Sequence, residues 1–147
     1  MSSRHRLLAG LLCAVAALPL QAADCLPVIE SGWVRKPPTD MPMMAGFAEI
    51  RNPCAAPVSI VGARSPAFAA VELHETRRVD GVSRMRHVAS LAVPAQGQVT
   101  LAPGGLHLML MRPTGALALG ETVSLELELA DGRKLGGAFE VRAPNAL

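Results

Sequence analysis

The sequence predicts an all-β domain, a sandwich or barrel, from three observations. Short apolar/polar alternations recur along the chain after residue 22, and apolar residues at helical spacing are hard to find there. Gly, Pro, Asn and Asp bound these runs, and those residues end strands and make tight turns. Several short strands with turns at such intervals belong to sandwiches and closed sheets.

The amino terminus reads differently. MSSRHR is a charged segment, LLAGLLCAVAALPL an apolar one, and QAADC supplies small residues for cleavage. Residues 1–22 are therefore expected to be a secretory signal peptide and residues 23–147 the working domain. The competing reading is a membrane anchor, but 14 apolar residues fall short of the roughly 20 that a spanning helix needs. Leu12 before Cys13 and Asp24 before Cys25 do not make a lipoprotein cleavage box, so no stable membrane anchor is expected. The 125 residues from Ala23 onward suit one domain with its own core. Without Arg4 and Arg6, the 14 Lys plus Arg fall to 12 against 12 Asp plus Glu, a near-neutral balance that offers nothing to nucleic acid.

PVIESGWVR (27–35) gives the first strand, with Trp33 as a core anchor among only four aromatic residues. KPPTDMPMM (36–44) is a Pro- and Met-rich loop. Its Met41, Met43 and Met44 are either a flexible soft-metal site or, as the more ordinary reading, packing over the open end of the sandwich or lining for a partner surface. GFAEIRN (46–52) and PVSIVGAR (57–64) follow as strands. AAVELHETRR (69–78) and SRMRHVASLAV (83–93) flank Asp80-Gly81, a dipeptide suited to a two-residue primed hairpin turn. QVTLA (98–102), LHLMLMR (106–112), ETVSLELELA (121–130) and LGGAFEVRA (135–143) complete the set, with turns at Pro103-Gly104-Gly105 and Asp131-Gly132. Cys25 and Cys54 lie 29 residues apart, unlike a Cys-x-x-Cys redox motif. In an oxidising compartment a structural disulfide is the better reading, two buried free thiols the other.

Face parity sorts the chemistry. In PGGLHLMLMRP (103–113), Leu106, Leu108 and Leu110 share one face of the strand and His107, Met109 and Met111 the other. The leucines suit a core; the second face is open to two readings, gap-filling methionines beside an ordinary histidine, or ligands. A two-residue turn at Asp80-Gly81 would oppose Val79 to Val82, Thr76 to Met85 and His74 to His87. His74 and Met85 are then diagonal neighbours on one face. A three-residue loop would send Met85 to the other face. The resulting set, His74, Met85, His107 and Met109, holds two imidazoles and two thioethers with neither carboxylate nor thiolate. Neutral soft donors match Cu(I) better than Mg²⁺, Ca²⁺ or Zn²⁺. His87 and Met111 extend the same faces as auxiliary ligands or transfer waypoints, or more simply as a surface residue and a shield against water. Glu72 and Glu75 either orient an imidazole or are plain exposed charges.

The spacing His74-x10-Met85-x21-His107-x-Met109 resembles that of the periplasmic copper chaperone family PCu(A)C. VELHET, DGVSRMR, PGGLHLMLMRP, GWVR and AGFAEIRN carry the likeness across nearly all of the mature domain. The resemblance implies a cupredoxin-like Greek-key β-sandwich in the periplasm, expected as a monomer. It implies one Cu(I) per chain on His74, Met85, His107 and Met109 at a solvent-accessible edge. It also implies delivery to the copper-A centre of cytochrome c oxidase, alone or beside another periplasmic copper chaperone. Leu106 departs from an aromatic residue common in the family, and VRAPNAL lacks the His- and Met-rich tail of some relatives. The alternatives are a copper-resistance or storage protein and a metal-free secreted interaction domain. A blue-copper oxidase or electron carrier would want a Cys thiolate beside two His, which is not found near His107. No nucleophile elbow, paired-carboxylate signature or phosphate loop supports an enzyme.

Overall fold

A computed structural model describes residues 25–146, so the expected signal at 1–22 lies outside the described residues. Ten strands follow in order: β1 Val28–Arg35, β2 Met43–Asn52, β3 Val58–Arg64, β4 Phe68–Val79, β5 Val82–His87, β6 Leu91–Val93, β7 Gly97–Leu101, β8 Leu106–Pro113, β9 Thr122–Leu129 and β10 Lys134–Arg142. The all-β expectation holds. Two expected boundaries move: Met43 and Met44 start β2 instead of ending a loop, and residues 83–93 split into β5 and β6.

The strands run β5-β4-β8-β2-β1-β10-β9-β3-β6, and β3 also pairs with β4. That last pairing, Ala63 with Val71, joins the two layers of the sandwich into a closed circuit of β4, β8, β2, β1, β10, β9 and β3, which leaves few free edges. β1 and β10 pair in parallel, Trp33 with Glu140 and Val34 with Val141; the remaining ladders are antiparallel.

The interior follows from strand parity. Val34, Ala48, Ile50, Leu73, Leu108, Leu110, Leu125, Leu127, Phe139 and Val141 alternate inward into one aliphatic cluster. Trp33 is buried, as a core anchor should be, but it lies outside that cluster, tilted against Phe47 at 4.6 Å between ring centres on the opposite face of β1 and β2. At the far end, the fully buried Asn52 donates to the carbonyls of Ala56 and Pro94 and accepts from the Cys54 amide. That network holds the turn from which Cys54 is bonded to Cys25, closing a loop that contributes about 3–4 kcal/mol on the chain-entropy estimate.

The β4-β5 hairpin turns through Asp80 and Gly81, both at positive φ (52° and 78°), as a primed turn requires. The ladder is Val79↔Val82, Thr76↔Met85 and His74↔His87, the two-residue alternative. A Cβ at Gly81 would meet no atom within 4 Å, so only its backbone angle constrains the position. Gly81→Val should therefore lower stability by about 1–2 kcal/mol in urea unfolding, through conformational strain alone. An unchanged midpoint and slope would contradict this account of the turn.

Candidate metal centre

Three strands set the exposed face beside this hairpin. β4 pairs with β5 on one side and β8 on the other, and His74 stands opposite both His87 and His107. The three imidazoles thus form a row across the sheet, with His74 5.8 Å from His87 and 6.1 Å from His107 between ring centres. One step along, Met109 on β8 is opposite Glu72 on β4 and Ala45 on β2. One step the other way, Met85 is opposite Thr76.

Met85, His107 and Met109 line one small pocket, together with Thr76, Phe47, Ala45, Gly104 and Arg35. His74 flanks it through its contact with the His107 ring. The expected exposure is uneven: Met85 is 52% exposed, whereas His107 is only 5% exposed. Only part of the set therefore meets solvent. The burial comes from Phe47, whose ring centre is 6.5 Å from that of His107 and which Trp33 and the Arg35 guanidinium cover in turn. The sequence reading missed this aromatic support, because Trp33 and Phe47 are distant in sequence and meet only through the β1-β2 register, Trp33↔Phe47.

Hydrogen bonds fix both rings. His107 Nδ1 donates to the Gly105 carbonyl at 3.0 Å, and the same carbonyl accepts from the Thr76 amide at 3.0 Å, tying the ligand-bearing ends of β4 and β8 together. The proton on Nδ1 leaves the Nε2 lone pair free. His74 Nε2 donates to Glu72 Oε2 at 2.9 Å, which leaves Nδ1 with a lone pair. That Nδ1 is buried and, among the described residues, is the sole buried side-chain nitrogen or oxygen without a hydrogen-bond partner.

Glu72 thus orients His74. The hydrogen bond from His74 holds the Glu72 carboxyl below its usual range, and attraction to His74 and His87 adds to this. A lowered carboxyl contributes above its unfolded value and is lost as pH falls through the folded one. The lock is therefore in place at neutral pH and releases only on strong acidification. Glu75 is a different case. It faces the other side of β4 and pairs with Arg77 and Arg86 at 2.8 and 2.6 Å, away from the imidazoles. Met111 is opposite Met43 on β2 and Ala70 on β4, beyond Met109, and it does not line the pocket. His87 is exposed at the outer edge of the row.

The family model described as "Putative lipoprotein LpqE-like" matches residues 28–144. The chain belongs to this LpqE-like family. A protein of Leifsonia xyli subsp. xyli (strain CTCB07), named "Putative lipoprotein Lxx21020", is 35% identical to this LpqE-like chain over 120 residues, covering 81% of it and 70% of the relative. The solution structure of CuI-DR1885 from Deinococcus radiodurans is 33% identical, with a TM-score of 0.65 and 83% of each chain covered. The copper-bound PCuAC domain from PmoF2 shares 22% identity at a TM-score of 0.64, over 79% of this chain and 92% of that domain, a likeness of fold. The fold is that of the PCuAC domain.

The two tautomers are open to direct measurement. Long-range proton–nitrogen NMR spectra of the metal-free protein should show His107 protonated at Nδ1 and His74 at Nε2 near neutral pH. The reverse assignment for either ring would contradict the hydrogen-bond arrangement.

Proposed function

We propose that this chain is an extracytoplasmic Cu(I) carrier, a binding and transfer protein and not an enzyme, whose ligands are His74, Met85, His107 and Met109. The observation that carries the reading is the buried, unpartnered Nδ1 of His74, whose ring centre is 6.1 Å from that of His107, a ring held through Nδ1 with Nε2 left free. A lone pair left without a partner in a buried position is costly unless an ion takes it. The two thioethers make the donor set soft and neutral, suited to a monovalent ion. Among the described residues no trio of His, Cys, Asp or Glu converges on a metal position, so the two imidazoles need the methionines to complete a coordination sphere. The copper named in the descriptions of CuI-DR1885 and the PmoF2 domain supports the same cargo.

Uneven burial suits a carrier. His107 and Phe47 give a buried inner wall, while Met85 forms an exposed outer one, through which an acceptor's ligands would reach the ion. The acceptor we propose is the copper-A subunit of cytochrome c oxidase, reached directly or through a second periplasmic copper chaperone, with one Cu(I) per monomeric chain. Residues 1–22 are proposed as a signal peptide. The word lipoprotein in the family description and in the Leifsonia protein's name supports an address outside the cytoplasm. In this reading Cys25 stays bonded to Cys54 and carries no lipid.

Anaerobic titration with Cu(I) against a competing chelator tests the site. One tight equivalent is expected, with affinity falling at least about 100-fold in His107→Ala and Met109→Ala, and about 10–100-fold in Glu72→Ala through the freed His74 ring. Tight binding that survives both ligand substitutions would overturn the assignment. Transfer is tested by mixing the loaded protein with an apo copper-A domain, separating them and measuring copper; retention by the carrier would overturn the proposed delivery.

A further inference from the structure

Beyond the pocket, the methionines have a pattern that the four-residue site does not use. Of the six methionines in the described chain, Met44 alone joins the core cluster, while Met41, Met43, Met85, Met109 and Met111 lie on the His107 side. Met41 and Met43 are 48% and 40% exposed. Elsewhere the chain fills its interior with Leu, Val, Ile and Phe, so a need for apolar bulk does not explain thioethers here.

Met41, Met43 and Met109 line one groove, which the largely buried Met44 also borders, alongside the pocket that Met109 shares with Met85 and His107. Met109 is therefore a common wall. The register sets the spacing: Ala45 opposes Met109 and Met43 opposes Met111, which makes Met43 a diagonal neighbour of Met109, about 7–8 Å away and within reach of long side chains. Two cations also line the groove, Arg35 and Lys36, but both heads are engaged elsewhere. Lys36 Nζ donates to the Leu117 carbonyl at 2.8 Å, and the Arg35 guanidinium lies 5.1 Å from the centre of the Phe47 ring.

We propose that Met41 and Met43, with Met109 as the shared wall, form a second and weaker Cu(I) subsite, a thioether station through which the ion enters or leaves the histidine pocket. It rests on the Cu(I) reading of that pocket. Neutral sulfur donors select a soft monovalent ion, and the absence of an imidazole together with the nearby fixed cations makes this subsite the weaker and more exchangeable one. Met109 can exchange between the two donor sets without leaving its strand.

The test is anaerobic Cu(I) titration of the full chain carrying ¹³C-methyl methionine, run beside the Met41→Leu/Met43→Leu variant, a volume-conserving change that removes only sulfur. The parent should bind a second, weaker equivalent with shifts confined to the Met41, Met43 and Met109 methyl signals, and the variant should lose that equivalent while keeping the first. A single equivalent in the parent, a second one that persists in the variant, or unmoved Met41 and Met43 signals would overturn the subsite. Loss of the first equivalent's dependence on His107, with the second still abolished in the variant, would overturn the pocket reading and leave the thioether subsite standing.

Discussion

The place of Met85 and His87 on the candidate face depends on two residues at positive φ. Asp80 and Gly81 close the β4-β5 hairpin with two residues, and side chains alternate faces with period two. A turn longer by one residue would place Met85 on the face that holds Glu75 and remove it from the pocket with His107 and Met109. The observed ladder, Thr76↔Met85 and His74↔His87, is the consequence of that turn. The matching ladder on the other side, His74↔His107, brings β8 into the same row.

The rest of the structure leaves this row buried at one side and exposed at the other. β8 lies between β4 and β2, with Leu108 and Leu110 buried in the aliphatic interior, so His107 is carried by a strand that cannot slip without exposing the core. Trp33 and Phe47 back it from the outer face, and the Gly105 carbonyl binds both its ring and the Thr76 amide. β5, by contrast, is an edge strand exposed along its whole length. For the carrier proposed above, a buried inner wall would keep selectivity while an exposed outer ligand would permit exchange.

Much of this was legible in the sequence, for identifiable reasons. The leucine and histidine-methionine faces of β8 follow from parity, and the hairpin register follows from Asp80-Gly81, because both are local. What was not legible is non-local. Trp33 reads as a core residue by size and scarcity, yet its partner Phe47 is chosen by the β1-β2 register after a bulge between Glu30 and Trp33, and it lies on the face of the site. Glu72 and Glu75 look equivalent beside His74, but their parity differs, so one orients the ring and the other pairs with arginines. Met43 belongs to β2 despite its Pro-rich surroundings, because pairing with Met111 overrides the local turn composition.

The chain shares its fold with the copper-bound PmoF2 domain and is 33% identical to CuI-DR1885; the ligand set proposed for it is argued from register, tautomer and burial. The most direct measurement is X-ray absorption on the mature protein loaded with a single equivalent of Cu(I), compared with the Met85→Leu variant. The account predicts two nitrogen and two sulfur scatterers in the parent and one sulfur fewer in the variant. A copper environment without sulfur, or one unchanged by removing the Met85 thioether, would contradict it.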